Sequence, residues 1–294
     1  MKQMRLYLYL TLGVFLALFI VGTFLDYQIS SALFDDKNTF GLIVSVIGPT
    51  LGYGMIAVIG GGFFALFYRK EDYPTWMRVF FMVGVLACLG AATFFAGREF
   101  FGPNGFYWVA KKFWGYFIAF PAMVGLEYLG YLLIRKAENK DIWILLFVVL
   151  VAFVFALTAG VTVFKVTFHR PRFRTIVPTG IEYYPWYERC TSYKGLMETY
   201  NLTSEEFKSF PSGHSAYTMG VPLMAVFLPL VDQKYTKYRL PIFFGGLAFS
   251  MLVMFTRLLV GAHFLSDVSM GAIIVTVCMI IALEILRSLK KFNI

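Results

Sequence analysis

The sequence contains only three histidines, and each lies in a short segment rich in groups that bind or attack phosphate. His169 follows Lys165 by four residues, His214 completes the run Pro-Ser-Gly-His, and His263 precedes Asp267 by four residues. An imidazole titrates near neutrality, so it can attack a phosphorus atom or deliver a proton. The three segments therefore indicate chemistry on a phosphate group.

Basic side chains and a helix start are suited to hold that phosphate. Lys165, Arg172 and Arg257 supply positive charge, and arginine can donate two parallel hydrogen bonds to phosphate oxygens. Pro-Ser-Gly-His predicts a helix start, where free backbone N–H groups and the positive end of the helix dipole attract an anion. Together with Ser212 and Gly213, the three basic residues form the predicted phosphate site.

The remaining side chains have complementary catalytic roles. At the start of a helix, His263 and Asp267 would share one face, so the carboxylate can hold one ring nitrogen as N–H and leave the other free to attack. His214 then serves as the proton donor to the leaving oxygen. The acidic residues are not clustered at metal-ligand spacing, and the basic side chains supply the charge that Mg²⁺ supplies elsewhere. We therefore expect neither a metal nor another cofactor.

The composition predicts a membrane protein. Of the 294 residues, 59% are hydrophobic and 15% charged, and the mean hydropathy is +0.70. Soluble domains have about 25% charged residues and could not bury so much apolar surface. These values exclude a disordered chain, a collagen-like fibre and a disulfide scaffold. The net charge of +9 does not indicate nucleic acid, because no polar segment interleaves basic residues with aromatic ones.

Apolar runs predict eight membrane-spanning helices, each near the roughly 20 residues that cross a bilayer. The first run is predicted to be a helix and not a cleaved signal peptide, because it lacks a small-residue cleavage site. Span parity places all three motif segments on one membrane surface, whichever way the protein points. The predicted spans are Leu6–Leu25, Phe40–Phe67, Met77–Ala96, Phe113–Ile134, Ile142–Phe164, Ala216–Val231, Ile242–Leu259 and Asp267–Leu286.

Loop charges and one long loop complete the predicted topology. Short loops on the side of the N-terminus carry basic residues such as Arg69 and Lys70, which indicates the cytoplasmic side and places the motif segments at the extracytoplasmic face of the cell membrane. Residues 165–210 form a polar stretch with an aromatic cluster. This cluster is either an interfacial belt at the lipid headgroups or a lid beside a lipid-entry groove. Its members are Tyr183, Tyr184, Trp186 and Tyr187.

The motif segments resemble the signature of the type 2 phosphatidic acid phosphatase family, the membrane relatives of the vanadium haloperoxidases. That signature is Lys-x6-Arg-Pro, Pro-Ser-Gly-His and Ser-Arg-x5-His-x3-Asp in this order. The resemblance covers about Lys165–Asp267, with Phe173 in place of a proline and Thr256 in place of a serine. His169 stands where the family often has a small residue, and we interpret it as a packing residue or as a contact to substrate.

The resemblance implies an all-α, polytopic transmembrane bundle with a six-helix core and about two additional N-terminal spans. It implies that His263 forms a phosphohistidine with Asp267 orienting it, that His214 is the general acid, and that the basic residues, Ser212 and Gly213 cradle the phosphate. We expect one domain over residues 1–294. Within it, 1–134 forms the N-terminal spans, 142–289 the catalytic core and 165–210 an extracytoplasmic loop.

The expected function is metal-independent hydrolysis of a phosphomonoester or pyrophosphate on a membrane lipid. Phosphatidic acid, phosphatidylglycerophosphate, polyprenyl pyrophosphate and phosphorylated lipid A all present the same phosphate group. Two alternatives stay open at this point. One is a phosphotransferase that passes the phosphate to another lipid or a sugar. The other is a non-catalytic lipid transporter or phospholipid-binding protein, although binding alone needs no nucleophile with its own orienting acid.

Overall fold

The computed structural model describes residues 2–68, 73–100, 114–290 and 292, in which the regular structure is helical, without strands. Seven helices among these residues are long and apolar enough to cross a membrane. The prediction of an all-α, multi-pass membrane protein is therefore confirmed. Phe113, Arg69 and Lys70, which entered the predictions, lie outside the described residues. The first helices are α1 (Lys2–Leu33), α2 (Thr39–Phe67), α3 (Thr75–Glu99), α4 (Trp114–Ile134) and α5 (Ile142–Phe155).

The helices that follow carry the motif segments. They are α6 (Thr162–Phe168), α7 (Phe173–Thr179), α8 (Tyr193–Tyr200), α9 (Gly213–Ala225), α10 (Leu228–Val231), α11 (Thr236–Leu259) and α12 (Leu265–Ser288). The sixth predicted span differs from the structure, because it consists of the two helices α9 and α10. Pro229 has no N–H to donate to the carbonyl of Ala225, so the hydrogen-bond ladder is interrupted where α9 ends.

The fifth span continues further than predicted. A π-helical turn, Ala156–Val161, joins α5 to α6, and the helix ends only at Phe168. Lys165 therefore lies on a helix and not in the polar loop. His169 terminates the helix in the left-handed region, with φ of 48°. A π-helical turn inserts an extra residue and rotates the side chains that follow, and such turns are frequent near functional sites.

The N-terminal helices pack directly on the helices that carry the motifs. α1 lies against α12, and α2 lies against α3, α4 and α9. The contact between α2 and α4 needs glycine, because a Cβ at Gly61 would lie 1.7 Å from the carbonyl oxygen of Glu127, and one at Gly130 would lie 1.9 Å from that of Val58. Small residues allow such close packing of membrane helices. The motif helices are thus held partly by α1 and α2.

Candidate active site

The three motif segments meet at one end of the bundle, where α6 ends, α9 begins and α11 leads into α12. The ring centroids of His214 and His263 lie 6.2 Å apart. The Arg172 guanidinium donates to the carbonyl of the residue before His263, with Nη1 3.0 Å from the oxygen. The Ser212 N–H donates to the Asp267 carbonyl at 2.9 Å. Segments far apart in sequence therefore surround one region.

His263 is buried and has a defined tautomer. Its Nδ1 lies 2.7 Å from the carbonyl oxygen of Ser209. Because a carbonyl can only accept, Nδ1 carries the proton and Nε2 keeps its lone pair. The nearest carboxylate oxygen of Asp267 is 3.7 Å from Nδ1, so Asp267 shares the orienting role with Ser209. Burial, opposed by the Asp267 carboxylate, holds the pKa of His263 well below its usual value and keeps the ring neutral at pH 7.

Carbonyl groups of the segment Glu205–Ser209 orient the cations of the first motif. Lys165 Nζ donates to the Lys208 carbonyl at 2.6 Å, and Arg172 Nε donates to the Glu205 carbonyl at 2.8 Å. A carbonyl fixes the direction of a basic side chain without neutralising its charge. The segment that ends the long loop therefore prepares positive charge beside His263.

Arg257 is the most unusual residue of the site. Its side chain is fully buried, and within the described part of the chain none of its three guanidinium nitrogens has a hydrogen-bond partner. A buried charge without hydrogen bonds is costly, and the Glu99 and Glu206 carboxylates act on this guanidinium through their charge alone, so its N–H groups are suited to bind an anion. The N–H groups of Ala262 and His263 donate to its carbonyl at 3.0 and 3.2 Å, which links Arg257 to the imidazole.

The start of α9 forms the third wall of the site. Ser212 is the N-cap, and its Oγ accepts a hydrogen bond from the N–H of Ser215 at 3.4 Å. A Cβ at Gly213 would lie 2.5 Å from the Tyr217 hydroxyl, so this position needs glycine. The first turn of α9 thus presents its N–H groups and the positive end of its dipole to the region between the histidines.

The partners of His214 come from the N-terminal helices. Its Nε2 donates to the carbonyl of Ser45 in α2 at 3.1 Å, and a carboxylate oxygen of Glu99 in α3 lies 3.8 Å from the same nitrogen. The charge of an ionised Glu99 favours the protonated imidazole that a general acid requires, against burial, which lowers the pKa of His214. Neither Ser45 nor Glu99 was predicted from the sequence. For Glu99 the available signal was an acidic residue at the end of an apolar run.

The aromatic cluster of the long loop ties the loop to α1. Trp186 Nε1 donates to Thr23 Oγ1 at 3.0 Å, and the Tyr183 hydroxyl accepts from Arg170 at 3.0 Å. Of the four aromatic residues, only Tyr187 is exposed. These contacts anchor the loop to α1, and the interfacial belt and the lid both stay predictions. His169 stacks on Tyr193 with ring centroids 3.7 Å apart, in agreement with a packing role.

The comparison with protein families agrees with this geometry. The family model described as the PAP2 superfamily matches residues 141–291, just over half of the chain. The chain belongs to the PAP2 superfamily. The predicted resemblance is thereby confirmed, and the protein is a membrane protein of the phosphatase type. No curated protein and no solved structure matches the chain significantly. The PAP2 match includes all three motif segments and begins after α4, so it leaves out the helices that carry Ser45 and Glu99.

Positive charge at the candidate site comes from Lys165, Arg172 and Arg257, and the charge of each lowers the pKa of the buried His263 imidazole. Among the residues described, no group of three or more His, Cys, Asp or Glu side chains is arranged to hold a metal ion. These basic side chains and the α9 helix start supply positive charge that suits a bound phosphate.

An ion pair next to the PAP2 site gives a first prediction, on stability. Glu206 accepts hydrogen bonds from Arg174 Nη2 at 2.7 Å and from Thr175 Oγ1 at 2.7 Å, and all three side chains are largely buried. We expect Glu206→Gln to lower the free energy of unfolding by about 1–2 kcal/mol, because one charge-assisted interaction is lost. The measurement is the thermal unfolding midpoint of the detergent-solubilised protein, with the exposed Glu188→Gln as the control.

The same ion pair predicts a pH dependence. Burial raises the pKa of Glu206, but the hydrogen bond and charge of Arg174, the charge of Arg172 and the hydrogen bond from Thr175 together outweigh burial and bring the pKa below the ordinary 4.5. The carboxylate therefore contributes its stability above pH 4.5 and loses it as the pH falls through the lowered pKa. The difference between wild type and Glu206→Gln should be full at pH 7 and should shrink in acid. An equal difference at all pH values would contradict this role.

Proposed function

We propose that this PAP2 protein releases phosphate from a membrane lipid through a phosphohistidine on His263. The observation that supports it most directly is a pairing in the described part of the chain: Arg257 is a buried guanidinium without a hydrogen-bond partner there, and the His263 imidazole keeps its Nε2 lone pair. A protein that only binds lipid needs the guanidinium but not the oriented imidazole. Two functions are thus combined in one region, binding of an anion and attack on it.

In the first step, the Nε2 lone pair of His263 attacks the phosphorus atom, and the bond from phosphorus to the lipid oxygen breaks. The departing oxygen takes a proton from His214. The charge on the phosphoryl oxygens is stabilised by Lys165, Arg172 and Arg257. In the second step, water attacks phosphorus, His214 takes the proton, and the N–P electron pair returns to Nε2. The products are the dephosphorylated lipid and inorganic phosphate.

A cavity supports the assignment of a lipid as substrate. It has a volume of about 420 Å³ and lies between α2, α3, α5 and α9, within the usual size of ligand pockets. Apolar residues such as Ile56, Ala91 and Leu150 line most of it, and Tyr217 lines it beside His214. A lipid tail in this cavity would place its headgroup at the phosphate site without leaving the bilayer.

The lipid assignment gives a second prediction. Ala91→Trp should fill the cavity and raise KM for a long-chain lipid phosphate about tenfold or more. Hydrolysis of the water-soluble p-nitrophenyl phosphate should stay within about twofold of wild type. Val83→Trp is the matched control, since Val83 is exposed on the same helix and outside the cavity. Equal losses with both substrates would contradict a tail-binding cavity.

We further propose that residues 1–294 work as one domain, with the site at the extracytoplasmic face of the cell membrane. The basic residues of the short loops on the opposite side support this orientation. The contacts of His214 with α2 and α3 support a single functional unit.

The activity itself is tested with purified protein and the four candidate lipids: phosphatidic acid, phosphatidylglycerophosphate, polyprenyl pyrophosphate and phosphorylated lipid A. Free phosphate from at least one of them is the expected result. Labelled phosphate on a second lipid or a sugar would indicate a phosphotransferase. Binding without any transfer would indicate a non-catalytic protein and would contradict the proposal.

A further inference from the structure

Arg170 is a fully buried arginine that the phosphate site does not use. Each of its five N–H donors has an acceptor, which is the full capacity of a guanidinium. The Arg170 guanidinium also lies over the aromatic ring of Phe264, with its carbon 4.0 Å from the ring centroid. The acceptors are Asp267 Oδ1 at 2.6 Å, Ser266 Oγ at 2.9 Å, Asp26 Oδ2 at 3.0 Å, the Tyr183 hydroxyl at 3.0 Å and the Tyr184 carbonyl at 2.8 Å.

Asp26 reaches the same cluster from α1. Its carboxylate is 1% exposed and also accepts from the N–H of Ser266 at 2.9 Å and from the Ser266 hydroxyl. Asp26 thus contacts the first turn of α12, which carries Asp267, and it contacts the arginine that binds Asp267. Asp26 itself lies on α1, outside the residues that the PAP2 family model matches.

The charges of the cluster formed by Arg170, Asp267 and Asp26 decide its effect on the His263 imidazole. Arg170 and Asp267 alone would form a neutral pair, which gives little net stabilisation to a positive charge nearby. With Asp26 added, the three buried groups carry a net charge of −1. His263 becomes positively charged as its bond to phosphorus forms, so a net negative cluster at its side favours that step.

We propose that Asp26 is a positioning residue of the site, acting through Arg170 to hold the Asp267 carboxylate in place against His263. This inference rests on the proposed function, because it assigns Asp26 a role in the reaction of His263. The arrangement has the form of a buried partner that fixes a catalytic group, and loss of such partners typically costs about 10–100-fold in activity at comparable sites.

The test compares Asp26→Asn with wild type, using whichever of the four lipids the wild type hydrolyses fastest. We expect kcat to fall about tenfold or more, with KM within about twofold, since the phosphate site is unchanged. The acid limb of the pH profile should move to lower pH by about one unit, the effect of one elementary charge at about 10 Å in a protein interior. The other charged or titratable groups facing His263 are constant across the variants: Asp267, Lys165, Arg172, Arg257 and His214.

A second readout does not depend on activity. With only three histidines, the His263 ring signals can be assigned by NMR and titrated directly. The Asp26→Asn/Arg170→Gln double variant restores the cluster charge to −1. The pH at which His263 titrates should therefore return to the wild-type value or rise above it. Its kcat should stay low because Asp267 has lost its anchor. The double variant also carries the test if the single variant does not fold.

Asp36→Asn is the matched control, since Asp36 is an exposed carboxylate just beyond the same end of α1. The inference would be overturned if Asp26→Asn left both the pH profile of activity and the pH at which His263 titrates unchanged. It would also be overturned if His263 titrated at a still lower pH in the double variant. A purely structural role would lower the active fraction without moving either curve. If the wild type hydrolyses none of the lipids, the proposed function fails; if it does and Asp26→Asn matches it, only this inference fails.

Discussion

Replacement of His263 by asparagine is expected to reduce phosphate release by about 10⁴-fold or more, the usual cost of removing a nucleophile from a catalytic unit. Asparagine keeps an N–H donor near the position of Nδ1, so the hydrogen bond to the Ser209 carbonyl can persist. Only the attacking Nε2 is lost. The measurement is free phosphate from the preferred lipid, together with acid-labile label on the protein after rapid quenching.

His169→Asn is the matched control for this substitution. His169 stacks on Tyr193 and has a left-handed backbone, which asparagine tolerates well. Its activity should stay within about twofold of wild type, and it should still form the labelled intermediate. Undiminished turnover in His263→Asn would rule out the phosphohistidine mechanism. A large loss in His169→Asn would instead support the alternative that His169 contacts substrate.

Arg257→Met is expected to lower activity and raise stability at the same time. Loss of the buried guanidinium removes charge stabilisation from the transition state, which costs about 10²–10³-fold for a comparable oxyanion donor. In the ligand-free protein, however, that charge is buried with no hydrogen-bond partner among the described residues. Its replacement by an apolar side chain should increase the free energy of unfolding by about 1–3 kcal/mol. Phosphate release from the preferred lipid measures the loss of activity, and thermal midpoints with and without inorganic phosphate measure the gain in stability and the binding of phosphate.

Arg239→Met gives the matched comparison. Arg239 is buried on the same helix, α11, but at the opposite end, where Nη2 donates to Gln3 at 2.6 Å. Its loss should destabilise the protein and leave stabilisation by phosphate unchanged. In Arg257→Met, phosphate should no longer raise the midpoint. A destabilised Arg257→Met that still responds to phosphate would show that this guanidinium is not the phosphate partner.

Much of the fold was predictable from local patterns in the sequence. Long apolar runs identify membrane helices because a bilayer requires them, and the PAP2 membership followed from three short motifs with fixed spacing. The sixth span is instructive, since its apolar composition predicted one continuous helix. Pro229 lacks the N–H that would continue the hydrogen-bond ladder from α9 into α10. Hydropathy alone does not register hydrogen-bond breaks of this kind.

The sequence by itself determined which side chains can react, because the types and spacing of His263, Asp267 and the basic residues predict their chemistry. Only the tertiary structure decided which atoms hold them. The Ser209 carbonyl sets the tautomer of His263, and α1 brings Asp26 to Arg170. Every residue has a carbonyl oxygen, so the sequence does not indicate which one accepts from His263. A carboxylate in an apolar helix likewise does not indicate which basic side chain it binds. These contacts join residues 54 and 144 positions apart, and only helix packing brings them within hydrogen-bond distance.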